Sequence, residues 1–250
     1  MYNNMIDNLH DDSFFDLVRN KSVAIVGPAS YMENSGFGDE IDSYDLVARI
    51  NRSIESVSKW SIDIGSRTDI LYSCLIEKPE NAGIIDVESL SNDHSVKYVC
   101  APPKSTFEGI SHANILSDLV SQKKVNDIRE KIPFRIVDYK LNNMIAESVK
   151  CRPNTGLLAI YDILDNEPKK LGIYGFSFYL DGFLKGTKKG ASMSERDFAN
   201  KCFNSKRHKQ RNLWNYAKDT LVENKSVYLD PHLKTILSME QLSVEEFTKR

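Results

Sequence analysis

The stretch Ser22–Val26, SVAIV, is apolar throughout after its first residue and is cut off by Gly27-Pro28-Ala29-Ser30. A β-branched run without polar alternation is the pattern of a strand covered on both faces, which places it inside a parallel sheet. A polar, glycine-bearing loop (Glu33 to Asp39) follows, and then a second extended run from Asp45 to Asn51. Strand, small-residue stop, loop and strand predict an α/β chain. In open α/β sheets the ligand crevice lies beyond the carboxyl ends of the strands. Gly27 to Ser30 and Asn51 are therefore the first candidates for ligand contact, since small residues let backbone amides approach closely.

The same alternation continues along the chain. Ser13 to Val18 reads as a short amphipathic helix with Phe14, Phe15 and Val18 on its apolar face. Further strands are expected over Asp69–Cys74, Ser95–Cys100, Pro133–Val137 and Lys170–Phe178, with Pro102-Pro103 ending the second of these. Gly83 to Leu90 predicts a short helix, and Ile115 to Ile132 an exposed helix or helix pair. Pro153-Asn154-Thr155-Gly156 opens the helical run LLAIYDILDNE, and Leu213, Trp214, Ala217 and Leu221 mark another helix headed by His208. No repeat or low-complexity linker interrupts this. One domain over 1–250 is expected: a helix or extension over 1–20, a core over 21–230, and a tail or helix over 231–250.

Bulk composition narrows the function. The 250 residues carry 33 basic and 35 acidic side chains, a net charge of −2. Nucleic-acid proteins show a clustered basic excess, so none is expected as a partner. Lysine-rich patches at Thr187–Lys189 and Lys206–Arg211 are local, and suit an anionic ligand as readily as a solvated surface. No stretch approaches the roughly 20 apolar residues of a membrane span. The acidic, polar-broken N-terminus does not resemble a signal peptide. Cys74, Cys100, Cys151 and Cys202 fit no metal spacing, and a reduced cytoplasmic setting is expected.

The two strand-end candidates also carry a longer pattern. VAIVG-x-x-S, then G-x-E-I-D-S-x-D-x-V-x-R-x-N, resembles the large sialyl motif of glycosyltransferase family 29, the sialyltransferases. Its residues here are Gly27, Ser30, Gly38, Glu40, Ile41, Asp42, Ser43, Asp45, Val47, Arg49 and Asn51. The family often has Asn after the glycine; Pro28 stands here and offers no N–H. On local sequence alone Pro153–Gly156 is explained by a plain helix cap. Followed by the Tyr174-Gly175-Phe176 strand, it resembles the small sialyl motif, with Asn154 in place of the usual serine. His208 falls where the family's very small motif supplies a catalytic base. The trailing Glu of that motif is missing, Leu213 standing five residues on, and the third motif is not evident in Asp181 to Ala191. Animal members join their large and small motifs by a disulfide; the position in question here is Val23.

The resemblance implies a single Rossmann-like domain, a variant of the glycosyltransferase A architecture, with a mostly parallel sheet flanked by helices. It implies a CMP-activated keto-sugar acid as donor, CMP-sialic acid or CMP-Kdo, a glycan as acceptor, and inversion by in-line attack. Donor contacts are then expected from Gly27, Ser30, Arg49, Asn51, Asn154, Thr155, Gly156 and Gly175, with His208 as general base. Tyr179, Lys185, Lys188 and Lys189 are candidates for any phosphate contact the absent third motif would have made. No metal or other cofactor is expected; Asp11-Asp12 reads as a helix cap. Two other classes stay open. A nicotinamide-dependent Rossmann oxidoreductase needs G-x-G-x-x-G where this chain has GPASYM, and a nucleotide-binding module without catalysis accommodates the missing motifs.

Overall fold

A computed structural model describes residues 12–77, 83–103, 122–187 and 194–243. Its centre is a seven-stranded sheet: β1 (Ser22–Val26), β2 (Leu46–Ile50), β3 (Ile70–Tyr72), β4 (Tyr98–Ala101), β5 (Phe134–Ile136), β6 (Lys170–Tyr174) and β7 (Val227–Leu229). The spatial order is β5-β4-β3-β2-β1-β6-β7, and every pair is parallel. The SVAIV run, expected to be buried on both faces, has Val23, Ala24 and Ile25 fully buried, and Ala24 pairs with Val47 on one side and Gly172 on the other.

Helices cover both faces, as parallel strands require. Side chains on successive strand residues point to opposite faces. Val23, Ile25, Leu46, Ala48 and Ile50 pack with Phe14 and Val18 of α1 (Asp12–Val18), and with α6 (Tyr139–Val149), α7 (Thr155–Asp165), α9 (Gln210–Leu221) and α10 (Pro231–Leu237). Ala24, Val26 and Val47 instead meet α2 (Gly38–Asp42) and α3 (Val57–Ile64). Under β3 to β5, Leu71, Val99 and Ile136 pack with α4 (Val87–Asn92) and α5 (Gln122–Arg129). The remaining helix, α8 (Glu195–Phe203), lies beside the loop after β6 and contributes Ala199 to a small satellite cluster with Phe183. Phe14 of α1 and Leu233, Ile236 and Leu237 of α10 belong to the same core.

Several elements are shorter than their sequence pattern. β6 ends at Tyr174, because Gly175 adopts φ +74° and Phe178 and Tyr179 take φ +51° and +63°, conformations that leave the extended region. The short helix predicted from Gly83 starts at Val87, where the Asp86 carboxylate accepts from Ser89 N–H (3.1 Å). Of the helical pattern from Ile115, only α5 from Gln122 is described; Ile115 to Val120 lie outside the described residues.

α7 is held to the sheet by a buried polar group. Asp162, 1% exposed, accepts from the Tyr72 hydroxyl of β3 (2.6 Å) and from Arg135 of β5, 5% exposed. The Arg135 guanidinium also sits over the Phe14 ring, 3.9 Å from its centroid. Burial raises the Tyr72 hydroxyl pKa well above its ordinary value, and the Asp162 charge adds to the rise. Removing one partner of a buried pair leaves an uncompensated charge and costs about 3–5 kcal/mol, whereas an apolar replacement of both is far milder. Asp162→Ala should therefore lower the unfolding free energy measured by urea denaturation by that amount, and the double variant Asp162→Leu/Arg135→Met should recover most of the loss.

Candidate active site

At the carboxyl edge of the sheet, where strand order turns back between β1 and β6, lies a cavity of about 250 Å³. Its wall comes from Pro28 and Ala29 after β1, Asn51 and Arg52 after β2, the head of α7 and the loop Gly175–Tyr179 after β6, with His208 at its side.

Asn51 leaves β2 in a left-handed conformation, φ +48°, which carries its side chain into this wall beside Ile50. Its Oδ1 accepts from Cys74 N–H (2.9 Å). An amide side chain has one acceptor oxygen and two N–H donors, so Asn51 has its donors to offer the cavity. Asn154 caps α7 by accepting from Leu157 N–H at 2.8 Å. The N–H groups of Thr155 and Gly156, in the first turn, have no partner within the helix, and the positive end of the helix dipole favours an anion there. Gly156 lets the ring come close: a Cβ would lie 2.8 Å from Phe176 Cε1, so the ring would have to shift.

His208 Nδ1 lies 2.8 Å from the carbonyl oxygen of Arg152. A carbonyl only accepts, so Nδ1 carries the proton and Nε2 keeps its lone pair. The chain segment around it is anchored twice more: Lys209 N–H donates to Cys151 Sγ (3.3 Å) and Asn212 Nδ2 to Val149 O (2.7 Å). Burial pushes the His208 pKa below 6.5; the hydrogen bond to Arg152 opposes this, and the Arg152 and Arg207 charges reinforce it. The imidazole is thus neutral at pH 7, with a basic nitrogen available.

Other expected residues fall elsewhere. Arg49 is fully buried and does not wall the cavity. It points to the α3 face of the sheet, where its Nη2 donates to Ile64 O (2.7 Å) and Gly65 O (2.9 Å) and its Nε to Thr68 Oγ1 (3.0 Å). The expectation of a donor contact from Arg49 is corrected accordingly. The amides after β1 are not available either. Gly27 N–H donates to Tyr174 O (2.8 Å), Ala29 N–H to Gly175 O (3.1 Å) and Ser30 N–H to Gly182 O (2.9 Å). Pro28 and Ala29, rather than Gly27 and Ser30, form that part of the wall. Gly27 serves by its absence of a side chain: a Cβ would lie 2.3 Å from Gly175 O. Gly175 itself lines the cavity.

Of the phosphate-contact candidates, Tyr179 lines the cavity, and burial raises its hydroxyl pKa. Lys185 is exposed, 3.7 Å from Glu33, outside the wall. Lys188 and Lys189 lie outside the described residues. Among the described residues no three His, Cys, Asp or Glu side chains gather as metal ligands, and the four cysteines are unpaired by disulfides. No described helix is long and apolar enough to cross a membrane.

Sequence reasoning missed the group beneath the cavity floor. Asp230, fully buried, accepts at Oδ2 from Tyr31 hydroxyl (2.6 Å) and Gly175 N–H (3.1 Å), and at Oδ1 from Leu233 N–H (2.9 Å). The Tyr31 oxygen in turn accepts from Phe176 N–H at 3.0 Å, and its ring stacks on His232, 3.9 Å between centroids. Asp230-Pro231 is a readable helix start, a capping side chain with proline in the first turn. Nothing local tells that its second oxygen reaches β6.

A profile of glycosyltransferase family 29 (sialyltransferase) matches residues 2–162. The chain is similar in structure to a mammalian sialyltransferase, at 15% identity over 86% of this chain and 70% of that one, TM-score 0.48. It is similar to the monofunctional α-2,3-sialyltransferase Cst-I from Campylobacter jejuni, at 13% identity over 84% and 75%, TM-score 0.48. It is also similar to the sialyltransferase CstII from the same organism, solved with the substrate analogue CMP-3FNeuAc, at 11% identity over 84% and 78%, TM-score 0.46.

The pKa direction at His208 has a direct consequence. A histidine with a depressed folded pKa contributes stability that is kept above pH 6.5 and lost as pH falls through the folded value. Proton NMR of the His208 ring should show a titration midpoint below 6.5, in the Nδ1–H tautomer. A midpoint above 6.5 would contradict the buried, cation-flanked setting.

Proposed function

This chain belongs to glycosyltransferase family 29, and from that premise we propose that it transfers a keto-sugar acid, sialic acid or Kdo, from its CMP-activated donor to a glycan hydroxyl. One observation carries the reading: a single cavity gathers the Asn51 amide, the open N–H groups of α7 and a neutral imidazole. The anionic donor, with one phosphate and one carboxylate, suits the fixed donors of Asn51 and the head of α7. The sugar then sits with its anomeric carbon toward His208.

In the proposed step, His208 Nε2 takes the proton from the acceptor hydroxyl as that oxygen attacks the anomeric carbon. The bond from that carbon to the CMP oxygen breaks on the opposite face, so the configuration inverts. Pre-set N–H donors stabilise the negative charge that develops on the departing phosphate without reorganising. The scheme uses no metal. The carbonyl of Arg152 holds Nδ1–H throughout, which keeps the reacting nitrogen aimed and steadies the imidazolium formed in the step.

Family membership displaces the oxidoreductase alternative, and the strand-end sequence GPASYM also lacks that class's glycine spacing. A nucleotide-binding role without transfer is separated by assay: incubation with CMP-sialic acid and CMP-Kdo should release CMP from one of them. General-base assistance is worth about 10²–10⁴ in rate, so His208→Ala should reduce turnover by that factor while CMP affinity stays within about twofold. Turnover near wild type in His208→Ala would remove it as the base, and no CMP release from either donor would leave binding alone.

A further inference from the structure

The segments that position the base carry a charge pattern that the transfer step leaves unused. Ser148–Gly156 and Asn204–Gln210 contain Lys150, Arg152, Lys206, Arg207 and Lys209 and no acidic residue, in a chain whose net charge is −2. Two bonds join these segments, His208 to Arg152 O and Lys209 N–H to Cys151 Sγ, and a third, Asn212 to Val149 O, follows just beyond. Charges distant in sequence therefore share one rim. Arg152 and Arg207 line the cavity itself, and Lys150, Lys206, Arg207 and Lys209 are exposed. Those four make no ion pair with a carboxylate among the described residues, although pairs occur elsewhere on the surface, such as Lys97 with Asp69.

Clustering like charges costs free energy through repulsion, and here the cluster surrounds the imidazole that receives the acceptor's proton. On the donor side of the cavity, Asn51 and the head of α7 already supply anion-binding groups. A guanidinium at the rim is suited to paired hydrogen bonds with a carboxylate or phosphate.

We propose that this rim is an acceptor subsite selecting an anionic glycan, one bearing a carboxylate or phosphate close to the hydroxyl that is glycosylated. The proposal deepens the transferase reading and rests on it for the word acceptor, but the binding of an anionic sugar is measured without any transfer. The anion lies against Arg207 and Arg152 while the sugar's hydroxyl faces His208. Lys206 and Lys209, farther out, add a longer-range attraction that salt weakens, since screening sets in over about 8–10 Å at physiological ionic strength.

The test is calorimetric titration of the whole protein, saturated with CMP, with lactose, with lactose 6-phosphate and with digalacturonate. The two charged arms separate phosphate from carboxylate as the preferred anion. Expected is binding of at least one charged sugar about tenfold or more tighter than lactose, the order of one charge-assisted hydrogen bond. The advantage should shrink when salt is raised to about 0.5 M, well above the physiological range of about 0.15 M. Arg207→Gln should abolish most of it, and Lys206→Gln/Lys209→Gln should reduce it with folding intact by circular dichroism. Equal affinity for the three sugars would overturn the proposal. So would competition between the charged sugar and CMP, which would assign the rim to the donor phosphate. Failure of the transferase reading shows separately, as absence of CMP release from either donor.

Discussion

Two peptide units that lie almost in contact set the geometry of everything around the cavity. β1 and β6 end side by side at Gly27 and Gly175, and a Cβ on either would lie within 2.4 Å of the other's carbonyl oxygen. Only glycine permits that approach, and Gly175 also takes φ +74°, which turns the chain off the sheet toward the cavity. Gly27 N–H and Ala29 N–H bond to Tyr174 and Gly175 carbonyls across the gap, and Asp230 and Tyr31 hold Gly175 and Phe176 from below. With the two strand ends locked, Phe176 packs on the head of α7 at Gly156.

How far the sequence discloses this depends on how local each cause is. The SVAIV run is legible because burial on both faces leaves no other apolar pattern. The cap at Asn154 is legible because its partner, Leu157, is three residues away. Arg49 shows the limit of a shared string. It alternates with Val47 onto the α3 face, and Asn51, of the same parity, escapes to the cavity only because its φ is positive. No periodicity announces that change of direction. The amides after β1 look free in sequence, since the carbonyls that take them, those of Tyr174, Gly175 and Gly182, lie about 150 residues downstream. Asp230 was hidden in the same way: its role as a helix cap is local, and its grip on Gly175 is 55 residues distant.

The site that results divides its work between two kinds of group. On one side are fixed dipoles, an amide side chain and a helix end, which bind an anion without carrying charge of their own. On the other stand cations around a neutral base, whose pKa is depressed by burial and by the Arg152 and Arg207 charges. On the Asn51 side the Arg52 guanidinium is taken up by Glu55 (2.7 Å), which leaves the departing phosphate to dipoles already oriented, and the base stays unprotonated where its proton is to be received.

The central claim is that a cytidine phosphate sits between Asn51 and the head of α7. Titrating CMP into uniformly ¹⁵N-labelled protein tests it most directly. The account predicts saturable shifts at the backbone N–H groups of Thr155 and Gly156 and at the side-chain amide of Asn51, with small shifts at Gly27, Ala29 and Ser30. Shifts confined to the loop after β1, or saturation with Thr155, Gly156 and Asn51 unmoved, would contradict it.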